Sequence, residues 1–419
     1  MERIPVCLVG CGGMGHRHIL AYRTLEDSGI CNVDLMAVCD LREENAQFAA
    51  REVERLFGRK PLVLTDLDQV LARDDIQAID VVTDGSTHHQ VAAPALAAGK
   101  HAIVEKPIGI TIRACQTLID AANQGGAVLA TAENYRRDPP NRLVKAILDD
   151  GLLGDPFLMI QASFGGNDEM VITPWRHIKE KGAIGLDMGA HYADIIQYYL
   201  GEYDQIFGSG FIVEPIRRKP DHTNHPLESY RERVKTYPDS VEATGEDSVV
   251  ALYRMASGAV AQLTLAEGRG GQGWERSVHG QMGSVYAPGE RNGNPVRLRL
   301  VGQEFRGKEI LSLLPDFHLN EITERLFGSD GVEYELPTDA PHPGYAIDAR
   351  HLAIEYHDFA QAILTGGKPE VDGLTGTKAV AAILGAYESA AIGRSVTMEE
   401  MLSGSVRVYQ EEIDNALGL

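Results

Sequence analysis

Basic residues are scarce in this 419-residue chain: 39 Lys and Arg stand against 60 Asp and Glu, a formal net charge of −21. A surface of that sign repels phosphate backbones and anionic headgroups, so neither nucleic acid nor a membrane is an expected partner. Cysteine is scarce too. Cys7, Cys11, Cys31, Cys39 and Cys115 all fall in the first third, in odd number and without a Cys-x-x-Cys pair or a His-Cys cluster. That argues against a disulfide framework and a structural zinc site; Cys7, Cys31, Cys39 and Cys115 lie in or beside apolar runs and read as small core residues. No apolar stretch approaches the ~20 residues that span a bilayer. The opening Met1-Glu2-Arg3-Ile4-Pro5 lacks a basic n-region followed by a long apolar one, so the cytoplasm is the expected location.

What is present is ordinary globular material, 44% hydrophobic and 24% charged, in a length that suits two or three domains. The acidity is uneven: residues 1–130 carry a net −5 and residues 131–419 the remaining −16. Over the first 130 residues short apolar runs (Val6–Val9, Leu35–Cys39, Leu62–Leu64, Ala78–Val82, Ala102–Val104, Val128–Ala130) alternate with amphipathic stretches (Arg17–Glu26, Glu43–Leu56, Leu67–Ala72, His89–Ala98, Ile112–Asn123). Strands alternating with helices predict βαβ units, hence a doubly wound parallel sheet of the Rossmann kind over residues 1–133.

After about Asn134 the rhythm changes. Longer runs (Phe157–Phe164, Gln205–Val213, Ser248–Met255, Val260–Leu265, Val296–Val301) and a hairpin signal at Ser257-Gly258 predict an α+β second domain over 134–419, with an open, mostly antiparallel sheet. Glu214–Glu246 is polar, contains prolines and the cluster Arg217-Arg218-Lys219, and reads as a long loop. From Tyr345 onward the pattern is mostly helical, clearest at Ala349–Leu364 and Lys378–Ala391, and these helices are candidates to pack back on the first domain.

Gly10-Cys11-Gly12-Gly13-Met14-Gly15 fits G-x-G-x-x-G, and so does Gly268-Arg269-Gly270-Gly271-Gln272-Gly273. Context separates them. Gly10 follows the run Val6–Val9 and precedes a helical pattern, whereas Gly268 leads into Trp274–Val278, which looks extended; the second match reads as a flexible loop. In the first, Gly10 permits the tight turn, Gly12 lets backbone approach a pyrophosphate and Gly15 allows close helix–strand packing; Gly13 and Met14 complete the loop. Asp40 ends the second strand, where a carboxylate accepts hydrogen bonds from ribose hydroxyls and repels a 2′-phosphate, favouring NAD over NADP. Arg42 offsets part of that repulsion or stacks on the adenine. The competing reading of Asp40 is a helix cap before Leu41–Ala50.

Further motifs follow in order. They are Thr83-Asp84-Gly85-Ser86-Thr87-His88, then Ala98-Gly99-Lys100-His101, then Glu105-Lys106-Pro107, and in the second domain Trp175-Arg176, Gly182-Ala183-Ile184-Gly185 and Asp187-Met188-Gly189-Ala190-His191-Tyr192-Ala193-Asp194. Pro369–Gly373, Tyr387-Glu388-Ser389 and Gly393-Arg394-Ser395-Val396 close the series. This order resembles the glucose-fructose oxidoreductase / inositol dehydrogenase / rhizopine catabolism (Gfo/Idh/MocA) family over nearly the whole chain. Asp84 stands where that family usually has proline.

The resemblance implies an NAD-dependent oxidoreductase acting on a secondary hydroxyl of a cyclic polyol, sugar or glycoside. Lys106, Asp187 and His191 are then the catalytic positions; Thr83, His88, Glu105 and Lys106 join the glycine loop, Asp40 and Arg42 as cofactor contacts; and the protein is a homodimer or homotetramer. Read from the residues alone, Lys106 precedes a proline at the carboxyl end of a strand, where ligands of such sheets bind; its plainer role is an ion pair with Glu105. Asp187 and His191, four apart, share a helix face, which suits a carboxylate-oriented general base or merely a surface pair. No third ligand at fixed spacing supports a metal. Tyr135, Arg136, Trp175, Arg176 and, more weakly, His177 are candidates to contact a sugar, and His18 reads as packing behind the glycine loop. Two alternatives stand beside the dehydrogenase: glycoside hydrolysis through transient sugar oxidation, and a non-catalytic NAD(P)-sensing regulator. The basic residues of 216–236, with His222 and His225, suggest a loop that enters a site or an oligomer contact and favours an anionic or larger glycoside.

Overall fold

The computed structural model describes residues 2–221, 227–268, 270–338 and 343–419. It forms two compact units that are discontinuous in sequence rather than divided at one break after residue 133: residues 1–134, 222–235 and 339–377 make the first, and 135–221, 236–338 and 378–419 the second.

The first unit is built on six parallel strands, β1 (Ile4–Val9), β2 (Val33–Cys39), β3 (Leu62–Leu64), β4 (Ala78–Val81), β5 (His101–Glu105) and β6 (Leu129–Ala132), in the order β3-β2-β1-β4-β5-β6. Each predicted apolar run became a strand. A parallel strand is covered on both faces, so it reads as a continuous apolar segment. Between the strands lie α1 (Gly13–Asp27), α2 (Glu43–Phe57), α3 (Leu67–Leu71), α4 (His88–Ala97) and α5 (Ile112–Gly125). Their limits follow local chemistry: the Thr111 hydroxyl accepts from the Ala114 amide at 3.2 Å to start α5, and Gly126, at φ +63°, ends it. The strand order reverses between β1 and β4, and the crevice at their carboxyl ends is where ligands of such sheets bind. All five thiols are buried, and burial pushes that of Cys115 up to about 12, so they serve as core residues.

The chain continues through α6 (Pro139–Asp149), β7 (Pro156–Gly165), α7 (Ile184–Leu200), β8 (Tyr203–Phe211) and the short β9 (Ile216–Arg218). Helix α8 (Glu228–Lys235) belongs to the first unit, after which β10 (Ser240–Glu242) pairs with β9 in the second. Next come β11 (Ser248–Met255), β12 (Val260–Glu267), β13 (Gly273–Gly280), β14 (Gly283–Tyr286), β15 (Arg297–Leu300), β16 (Gln303–Arg306) and α9 (Glu321–Phe327). Helix α10 (Pro343–Thr365) returns to the first unit and stacks Tyr356 on Tyr22 of α1 at 4.1 Å. Then follow α11 (Gly373–Ile392), β17 (Val396–Thr397), α12 (Met398–Leu402) and α13 (Glu411–Leu417).

The second unit's sheet has nine strands, ordered β16-β15-β14-β13-β7-β12-β11-β8-β17, antiparallel except for the β7–β12 pair. The Ser257-Gly258 turn joins β11 to β12, with Gly258 at φ +90°. Alternation sets the faces: Val249, Ala251 and Tyr253 are buried while Val250 and Leu252 are exposed. The second glycine motif connects β12 to β13, where a Cβ on Gly273 would lie 2.1 Å from the Phe164 ring and one on Gly268 2.4 Å from Val213, whereas Gly270 and Gly271 face nothing within 4 Å; Arg269 lies outside the described residues. Glu214–Glu246 is not one loop, since it contains β9, α8 and β10.

Candidate functional site

In the first unit the glycine loop takes the conformation that its residues permit. Gly10 sits at φ +102°, and a Cβ there would lie 2.7 Å from the Val82 carbonyl carbon. A Cβ on Gly15 would lie 2.3 Å from the Gly10 oxygen, so α1 rests directly on the turn. Helix α1 starts with Gly12 as its N-cap, with no side-chain cap and no acidic residue in its first turn. Its first amides are therefore turned toward whatever anion binds there.

Asp40 plays two roles at once. One carboxylate oxygen accepts from the Cys11 amide at 2.8 Å, tying β2 to the glycine loop, and the other accepts from the Arg42 amide at 2.9 Å. Arg42, exposed, is the N-cap of α2 and gives no side-chain cap bond. Asp84, in place of the expected proline, caps the short turn Gly85–Thr87 by accepting from the Ser86 amide at 3.2 Å, at a φ of −76° that proline also favours. Thr83 accepts from the Thr87 hydroxyl at 2.9 Å. His88 is buried, with Nδ1 3.0 Å from the Pro107 carbonyl; burial lowers its pKa. It fixes the turn after Lys106.

Glu105 joins a buried network. His18 lies between two carboxylates, with Nδ1 3.0 Å from Asp80 and Nε2 3.0 Å from Glu105. Burial alone would lower its pKa, but Asp80 and Glu105 overcome that and raise it to about 10, so the ring is a cation. Tyr22 and Tyr356 donate to Asp80 at 3.1 and 2.8 Å. The second Glu105 oxygen accepts from the Lys106 amide at 2.9 Å. The carboxylate thus holds the backbone of Lys106, which ends β5 half-buried. Sequence reasoning placed His18 as packing and had no signal for Asp80 or Tyr356, which come from other strands and helices.

In the second unit Asp187 and His191 are buried on one face of α7. Asp187 accepts from the Arg176 Nε at 2.9 Å, and Arg176 also donates to Thr173 at 2.9 Å while lying over the Trp175 ring at 4.3 Å. The His191 ring stacks on Tyr135, centroids 3.9 Å apart and planes 3° apart. Four candidates from sequence, Tyr135, Trp175, Arg176 and Asp187, are thereby gathered around His191 and its helix. Arg136 is held differently: its guanidinium donates to both oxygens of buried Asp194, at 2.8 Å for Nε, and lies over Tyr198. His177 accepts from the Val171 amide at 3.0 Å, and burial lowers its pKa to about 4; it pins the loop as a neutral ring. Of the basic excursion, Arg217 is fully buried against Asp247 at 2.8 Å, while His222 and His225 lie outside the described residues. Among the described residues no group of three or more His, Cys, Asp or Glu could hold a metal ion.

Residues 4–133 match the model of an oxidoreductase family with an NAD-binding Rossmann fold, and residues 141–286 match the C-terminal domain of the same Gfo/Idh/MocA family. The chain belongs to the Gfo/Idh/MocA oxidoreductases. Among its Gfo/Idh/MocA relatives is a levoglucosan dehydrogenase of Pseudarthrobacter phenanthrenivorans, 28% identical over 306 residues, 70% of this chain and 75% of that protein. An alpha-N-acetylgalactosaminidase of Shewanella oneidensis is 29% identical over a shorter stretch, 159 residues, 37% of this chain and 34% of that protein. A solved levoglucosan dehydrogenase in complex with NADH and levoglucosan shares the fold, with a TM-score of 0.73 at 22% identity, covering 95% of this chain and 100% of that one.

The residues present fit NAD, the cofactor of this Rossmann family. Gly10, Gly12, Gly13 and Gly15 add no Cβ to the turn that opens α1, Met14 lies among them, and the backbone amides there suit a pyrophosphate; Asp40 is held beside the loop at the end of β2.

Proposed function

We propose that this protein is an NAD-dependent dehydrogenase that oxidises a secondary hydroxyl of a cyclic polyol, sugar or glycoside. The observation that carries the reading is the set of three side chains in a chain of this family: Lys106 at the carboxyl end of β5, and Asp187 with His191 on one buried face of α7. Tyr135, stacked on His191, and Trp175, under the Arg176 that holds Asp187, are the aromatic candidates to flank a sugar ring.

When bound, NAD supplies the acceptor for the hydride that leaves the substrate carbon. His191 takes the hydroxyl proton at an imidazole nitrogen as that hydride departs, so no free alkoxide has to form. Lys106 donates a hydrogen bond to the same oxygen, and Glu105 fixes the lysine's backbone amide. Asp187, positioned by Arg176, binds a neighbouring hydroxyl. Asp40 directs the preference to NAD over NADP.

The decisive experiment is a panel of polyols, sugars and glycosides scored for NADH formation by wild type, Lys106→Ala and His191→Ala. NADH should accumulate with wild type on at least one neutral carbohydrate and fall by about a thousandfold or more in each variant. Turnover left intact by both substitutions would remove the catalytic assignment. The longer share of chain and relative covered by the dehydrogenase match than by the glycosidase match favours net oxidation over redox-assisted hydrolysis. Release of sugar from a glycoside without net NADH would reverse that choice.

A further inference from the structure

The segment between β9 and β10 leaves its own unit. Helix α8 groups with the first unit although both flanking strands lie in the second. It packs at the glycine loop. The Tyr230 ring is buried, and its Cζ lies 2.8 Å from where a Cβ on Gly13 would sit; its hydroxyl is 4.0 Å from the Met14 sulfur. One turn on, Arg233 Nη1 lies 3.3 Å from the corresponding position on Gly12. The helix is braced from behind. Tyr230 stacks on Tyr345 at 6.5 Å, Arg17 lies 4.9 Å over the Tyr345 ring, and Arg17 donates to Asp348 at 2.9 Å, which also accepts from Asn134 at 3.3 Å.

We propose that α8 is a cofactor clasp, in which Arg233 binds the pyrophosphate from the side opposite the α1 amides and Tyr230 fixes the helix on Gly13. The inference rests on the reading that Gly10–Gly15 holds NAD. Its physical basis is the side chain's place: a guanidinium at Gly12 stands where the phosphate oxygens approach the backbone, and a charge-assisted, two-pronged bond to phosphate is what arginine does best. In a chain of net charge −21, a cation at this point also relieves the repulsion that an incoming dinucleotide meets. The glycine loop by itself would bind and release the cofactor; the clasp adds a contact that must break before release.

The test is binding, separate from turnover. NADH and ADP-ribose affinities are measured by fluorescence or calorimetry, with the NADH release rate by stopped flow, for wild type, Arg233→Met, Arg233→Lys and Lys235→Met. Thermal unfolding checks that each variant is folded. Arg233→Met should weaken both ligands about tenfold and speed NADH release by a similar factor. Arg233→Lys should recover part of the loss, and Lys235→Met, whose side chain pairs with Glu232, should change nothing. Unchanged or tighter binding by folded Arg233→Met overturns the clasp. Failure of wild type to bind NADH at all would overturn the cofactor reading instead.

Discussion

Arg176 and Tyr135 are the side chains through which Asp187 and His191 are held, one by a charged hydrogen bond and the other by ring stacking. Arg176→Met should therefore lower kcat/KM by at least about tenfold while leaving NADH affinity unchanged, because it frees the carboxylate proposed to bind a neighbouring substrate hydroxyl. Steady-state kinetics beside NADH titration separates the two. Gly15→Ala should fail differently. Its Cβ would meet the Gly10 oxygen at 2.3 Å, so denaturant unfolding should show a loss of at least about 2 kcal/mol together with lost NADH binding. The glycine loop, Asp40, Lys106, Asp187 and His191 stand out as candidates from order and spacing along the chain. The partners that hold some of them stand out less. Arg176 was one candidate among several sugar contacts, and the Arg136–Asp194 pair gives no periodic signal. Asp80, at the middle of an apolar run, looks like an error in a strand until Tyr22, Tyr356 and His18 are brought to it by folding.

At the scale of elements, the parallel strands were readable because each is apolar throughout, whereas the outer strands of the second sheet were not. Gly283–Tyr286 and Gln303–Arg306 are four residues each and mix glycine or charge with few apolar positions; the first gains its pairing from β13 and β15, the second from β15. Helix α8, eight residues with five charges, reads as loop because its buried face is only Tyr230 and Val234. The His18 bridge joins α1, β4 and β5 and carries a pH signature. Its folded-state pKa of about 10 lies above the ordinary 6.5, so its contribution to stability is complete below pH ~6.5 and is lost as pH rises toward 10. His18→Gln should cost roughly 3 kcal/mol near neutrality by leaving two buried carboxylates without their cation. Unfolding at pH 7 and pH 10 should show the gap between variant and wild type narrowing at the higher pH; a constant gap would mean that the ring is neutral.

For the whole molecule, the second unit's sheet presents exposed Phe157, Phe207, Val250, Leu252 and Val260, more apolar surface than scattered residues on a monomer require. We propose that this face assembles a homodimer or homotetramer; Phe207 and Leu252 are direct cross-strand neighbours, and a Phe207→Glu, Leu252→Glu double variant should sediment as a monomer where wild type does not. Global charge has a narrower meaning than the composition alone implied. Most of the −21 lies beyond residue 130, and the pyrophosphate cradle is made of backbone amides, so net acidity speaks against nucleic acid without speaking against a dinucleotide. The role proposed for Lys106 and His191 is the oxidation of one carbohydrate hydroxyl by NAD. Its most direct test is single-turnover NADH formation with a carbohydrate deuterated at the reacting carbon. One NADH per oxidised substrate is expected, slowed by deuterium in wild type and absent in Lys106→Ala and His191→Ala; equal NADH formation by wild type and both variants would overturn that role.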